Sequence, residues 1–218
     1  MKETGERFKR MVVCAALALL TSYAGVSAAG VEDDYKEALQ LYNRGDVASA
    51  INILRKGADG GHAASQALLA DILDQSDYNE EAVAYYRKAA AQGNADGEFG
   101  LGRMYLTGEG LTRDVEQART WIARAAERGH ALATAVMAQA YMRGELGIAQ
   151  SERHTEAAYK WIRRAAEQGH LSSLEYLAVS YRKGVNGLAA DAKQAEFYEA
   201  RVKQVKGATQ KPPAKRKN

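Results

Sequence analysis

Four stretches of this 218-residue chain end alike: Arg55-Lys56-Gly57-Ala58-Asp59-Gly60-Gly61-His62, Arg87-Lys88-Ala89-Ala90-Ala91-Gln92-Gly93-Asn94, Ala123-Arg124-Ala125-Ala126-Glu127-Arg128-Gly129-His130 and Arg163-Arg164-Ala165-Ala166-Glu167-Gln168-Gly169-His170. Their glycines, Gly61, Gly93, Gly129 and Gly169, stand 32, 36 and 40 residues apart. A period of that length marks one module copied along the chain, and such a chain stacks its copies instead of collapsing around a single centre. The increments of four between steps read as loop lengthening inside otherwise matching units.

The module is helical. Seven residues after each closing His or Asn stands an apolar residue (Leu69, Leu101, Met137, Leu177), followed at once by a very small one (Ala70, Gly102, Ala138, Ala178). At the eleventh place come Leu73, Tyr105, Tyr141 and Tyr181, and this spacing is one face of a helix. Gly108, Gly144 and Gly184 follow where a left-handed C-terminal cap needs them. A second helix then carries Ala50, Ala82, Ala118, Ala158 or Ala195 with a large side chain three residues on: Ile53, Tyr85, Trp121, Trp161 or Tyr198. Small residues let two helices approach to about 8 Å, and a neighbour's large residue fills the groove left between them. Pro212 and Pro213 are the only prolines, and roughly a fifth of the chain is alanine, the strongest helix former. The expectation is an all-α fold, an α/α superhelical solenoid of about five helix-turn-helix repeats.

Gly108-Glu109-Gly110-Leu111-Thr112-Arg113-Asp114, followed by Ala118, Trp121, Ala125-Ala126 and Gly129-His130, resembles the Sel1-like repeat, a tetratricopeptide-type α/α unit. The resemblance is specific over 95–170 and good from about 63 to 200, while residues 35–60 look more like an ordinary tetratricopeptide unit. Unit 63–94 lacks the Gly-x-Gly loop and turns through Gln75-Ser76-Asp77-Tyr78-Asn79; the last unit lacks the Ala-Ala pair after Tyr198, as a terminal helix facing water would. The resemblance implies a protein-binding adaptor or regulator. Some secreted relatives are β-lactamase-type or penicillin-binding, but those carry a disulfide in each repeat, whereas Cys14 is the one cysteine here.

The termini differ from the body. Lys2, Arg7, Lys9 and Arg10 precede an apolar run from Met11 to Leu20, and Val26-Ser27-Ala28 resembles a peptidase site, so residues 1–28 read as a cleavable export signal and the protein as periplasmic or secreted. Residues 29–202 form the repeat domain; 203–218, rich in Lys, Arg, Gln and Pro, read as a disordered basic tail suited to an acidic surface. The formal charge of +3 belongs to the ends: residues 29–200 carry −6, which argues against a nucleic-acid binder.

Catalytic and metal chemistry find little support. His62, His130 and His170 occupy one register position in successive units, displaced by roughly 10 Å, whereas the ligands of one zinc ion all lie near 2 Å from it. They read as turn-packing residues, and His154 as a loop residue. No nucleophile elbow, phosphate-binding glycine loop or His-Glu-x-x-His motif is present. The expectation is a monomeric scaffold, not an enzyme, with no catalytic, metal or cofactor site, that holds a protein or peptide partner in its concave groove. A wall-associated accessory role and a β-lactamase-type hydrolase are the alternatives. Gln66, Arg103, Gln139 and Glu175 on the first helix of each unit are the candidate contacts, together with Tyr86, whose neighbour Tyr85 should take the buried place.

Overall fold

A computed structural model describes residues 28–209, with side chains from 30 to 208. Ten α-helices follow one another: α1 (Ala28–Asn43), α2 (Val47–Asp59), α3 (Ala63–Asp74), α4 (Asn79–Ala91), α5 (Ala95–Thr107), α6 (Val115–Glu127), α7 (Ala131–Arg143), α8 (Glu156–Glu167), α9 (Leu171–Lys183) and α10 (Ala192–Thr209). They pair into five hairpins, each with a first helix A and a second helix B, and each B helix packs on the next A helix. No strand occurs among the described residues. The chain is thus the α/α solenoid its periodicity demands. Two pairs of successive A helices touch (α3 with α5, α7 with α9), whereas no two successive B helices pack as closely, so the stack curves toward the A side.

The unequal repeat steps arise in one place. Every B-to-A turn has three residues (60–62, 92–94, 128–130, 168–170), and the A-to-B connection varies: 75–78, 108–114 and 144–155 in the second, third and fourth units. The longest holds an extra 3-10 turn, Gln150–Glu152. The insertion leaves its anchor intact. Arg113 Nε donates to the Leu106 carbonyl at 3.0 Å, and Arg153 donates to the carbonyls of Tyr141 and Met142, each arginine satisfying orphan acceptors at the end of an A helix.

Caps fix where helices begin. The backbone N–H groups of Glu116 and Gln117 both donate to Asp114 Oδ1 at 3.0 Å, and the Gly97 N–H donates to Asn94 Oδ1 at 2.8 Å. Gly110, at φ +69°, permits the loop before α6 to approach α4: a Cβ there would lie 2.5 Å from the Asn79 carbonyl. Close helix contact is built the same way in α5. A Cβ on Gly102 would meet Ile122 Cγ1 at 2.7 Å, and one on Gly100 would meet the Tyr86 ring at 2.1 Å.

One boundary needs restating. The segment 203–218, expected to be disordered, is helical as far as Thr209: α10 continues because Val202 and Val205 pack on the last apolar cluster and Lys206 pairs with Glu175 at 2.7 Å. Residues 1–27, with nearly all of the expected export signal, and residues 210–218 lie outside the described residues.

Candidate functional site

The A helices line a groove along the inside of the stack. Its N-terminal stretch, about 290 Å³, is walled by Tyr35 of α1, Leu68 and Asp71 of α3, Phe99 and Arg103 of α5 and Leu132 of α7. Further along, Gln139 and Met142 of α7 face Glu175, Tyr176 and Val179 of α9. Among the large apolar residues left exposed, which include Tyr78 at 62% and Phe197 at 55%, Leu132 at 58% and Val179 at 47% are the two that line this groove. Large apolar residues left open along a groove mark a binding surface.

Three of the five expected contacts lie there. Arg103 projects into the groove and is held by Asp74 at 2.6 Å and Asp71 at 3.8 Å. Gln139 and Glu175 line the second stretch, half-buried. Gln66 does not reach the groove: at 3% exposure its amide donates to the Ala58 carbonyl and accepts from Gln92, tying α2, α3 and α4 together. It belongs to the register of Glu98, Thr134 and Leu174, all buried, whereas the residue in register with Arg103 is Asp71. Tyr86, expected to be partly exposed, is 2% exposed; Tyr85 is buried as well. The absent Cβ of Gly100 admits the Tyr86 ring beneath the groove, where its hydroxyl donates to Asp71 Oδ1 at 3.4 Å. Burial, and then the carboxylates of Asp71 and Asp74, push that hydroxyl far above the usual phenol range. Sequence reasoning missed Tyr35, Leu68, Asp71, Phe99, Leu132 and Val179. Stepping from Arg103 by the repeat intervals would have found Asp71 and Val179.

All three repeated histidines stand at helix N-caps, and His62 and His130 cap with their side chains. His130 Nδ1 accepts the Ala133 N–H at 3.0 Å, and its Nε2 faces Asp96 at 3.4 Å on the preceding A helix, with the ring stacked on Phe99. His62 repeats this with the Ser65 N–H at 3.4 Å and Glu32 at 3.6 Å. An imidazole whose Nδ1 accepts a backbone N–H carries its proton on Nε2, so one ring joins two A helices. His170 has Leu132 where His130 has Asp96; its Nδ1 meets Ser173 Oγ at 2.9 Å, and burial lowers its pKa. Among the described residues no group of three or more His, Cys, Asp or Glu is placed to hold a metal ion. No described helix is long and apolar enough to cross a membrane.

The Sel1 repeat profile matches residues 14–45, 63–94, 95–130 and 131–170. The last three segments coincide with the hairpins α3–α4, α5–α6 and α7–α8; the first begins within the apolar run read as export signal and ends in the turn after α1. A Rhizobium meliloti (strain 1021) protein described as an exopolysaccharide production negative regulator is 40% identical over 62 residues, 28% of this chain and 23% of that protein. A protective antigen of uropathogenic Escherichia coli displaying an SLR fold superposes with a TM-score of 0.68 at 28% identity, over 81% of this chain and 38% of the other. A Sel1 repeat protein from Oxalobacter formigenes gives 0.63 at 29% identity, over 71% and 45%. The chain therefore spans less than half the length of each of these relatives. With the profile matched across most of its length and the hairpins in the same frame, the chain belongs to the Sel1 repeat family.

Proposed function

We propose that the protein is an exported, non-enzymatic scaffold or adaptor of the cell envelope that holds a protein or peptide partner in the groove of its A helices. The observation that carries this reading is the pair Leu132 and Val179, large apolar side chains held open on the concave face of a repeat type that typically serves protein interaction. The regulatory role of the Rhizobium relative supports an adaptor that acts through a partner. Export rests on the basic, apolar and small-residue segments of 1–28, and the bases from Lys211 to Lys217 suit contact with an acidic surface.

Two measurements test this. N-terminal sequencing of the protein from an envelope fraction should begin at Ala29; a chain that keeps Met1 and stays in the cytoplasm overturns the export reading. Co-purification from cells should lose its partner in Leu132→Asp and Val179→Asp but keep it in Lys160→Asp on the B face, with all three melting like the parent. Loss in Lys160→Asp alone would move the interaction to the convex side.

A further inference from the structure

The N-terminal stretch of the groove is negatively charged. Asp71 and Asp96 line it, Asp74 is nearly buried against Arg103 at 2.6 Å, and Arg103 is the one arginine or lysine lining it among the described residues. Arg103 is already committed to Asp71 and Asp74. The crowding registers on Asp74, whose carboxyl burial pushes up; Arg103 draws it back and Glu109 and Asp71 push it up again. Asp96 is held low by its hydrogen bond with His130 and stays ionised. Beside these carboxylates lie the apolar surfaces of Phe99 and Leu132.

We infer that this stretch binds an extended peptide segment carrying a lysine or arginine and, about three residues away, a large aliphatic or aromatic side chain. The cation sits between Asp71 and Asp96 and the apolar side chain against Phe99 and Leu132. The spacing follows from geometry: an extended chain advances about 3.3 Å per residue, and successive A helices lie roughly 10 Å apart. Charge complementarity selects the partner and speeds its capture, while the apolar anchor retains it. The identification rests on the groove reading above and adds the chemistry of what the groove takes.

The test is an array of synthetic twelve-residue peptides on an alanine background, carrying Lys-x-x-Leu, Glu-x-x-Leu or Lys-x-x-Ser and the same pairs at other spacings, probed with the full chain at low ionic strength. Lys-x-x-Leu should be retained about tenfold over Glu-x-x-Leu. Asp96→Asn, on an exposed carboxylate, should lower that preference, and Asp71→Asn with it should abolish it, while the preference for Leu over Ser persists. Leu132→Asp should remove the preference for Leu. Equal retention of Lys and Glu peptides, a preference untouched by the Asp→Asn variants, or no retention above the alanine background would overturn the inference. Should Leu132→Asp still abolish co-purification of the cellular partner in those cases, the groove reading stands and only its chemistry fails.

Discussion

The first three hairpins and the last two share one frame and differ in almost everything hung on it. Residues 28–130 hold seventeen acids and eleven bases, a net −6; residues 131–209 hold eight acids and eleven bases, a net +3. In the first region the capping imidazoles of His62 and His130 each reach a carboxylate on the preceding A helix; in the second, His170 stands at the N-cap, meets Ser173 and reaches none. Below the groove the first region fits a tyrosine under a glycine, Tyr86 under Gly100. At the same registers one unit later stand Ile122 and Val136, packed in one apolar cluster. The frame comes from small residues and terminal glycines, which each unit needs in order to stack; charge and groove shape sit on positions that stacking leaves free.

That division can be broken at Gly100 and Tyr86. Gly100→Val should cost about 1–3 kcal/mol, because the added side chain lands in the Tyr86 ring. In a Tyr86→Ile background the same change should cost far less, since Val136 beside Ile122 is a native version of that pairing. Denaturant melts of the four chains measure the coupling, and additivity would show that the two units are not interchangeable at this contact.

A smaller contrast lies two positions earlier on the same A helices. Glu98, 1% exposed, accepts Arg128 Nε at 3.0 Å, whereas Thr134 at the same place donates only to the His130 carbonyl of its own helix. Glu98→Ala should cost about 2 kcal/mol and Thr134→Ala about 1 kcal/mol or less, read from the same melts.

The smallest effect separates the two regions by pH. Burial lowers the His170 pKa, so the fold favours its neutral form. That stabilisation is complete above the ordinary imidazole value of about 6.5 and is lost as pH falls through the lower folded value. Asp96, held below the ordinary carboxylate range first by its hydrogen bond with His130, acts further down. Its stabilisation is complete above about pH 3.9 and lost as pH falls through its own lower value. His170→Asn, which copies the cap that Asn94 already makes at this register, should flatten the upper step of stability against pH and leave the lower one; Asp96→Asn should do the reverse. Melting temperatures from pH 3 to 8 decide it.

The frame was legible because the physics that sets it is local. Gly61, Gly93, Gly129 and Gly169 all adopt positive φ, and the residue after each is the N-cap of the next helix. The groove was legible only in part, since its positions obey no composition rule: Asp71, Arg103, Gln139 and Val179 share one register and no chemistry. Gln66 looked like a groove residue because it is polar on an A helix, but it is buried with both ends of its amide hydrogen-bonded. Tyr86 could not be placed from its own helix, because the space it occupies is created by a glycine fourteen residues further on. The end of α10 was obscured by its charge: Lys203 and Lys206 sit among valines that pack, and a run of bases reads as solvated tail.

Site-specific photocrosslinking in living cells tests the central claim most directly, with the reactive group placed in turn at Leu132, Val179, Tyr78 on the loop edge and Lys160 on the B face. The account predicts one and the same partner captured from positions 132 and 179 and none from 78 or 160. Capture from 160 or 78, with the two groove positions silent, would contradict it.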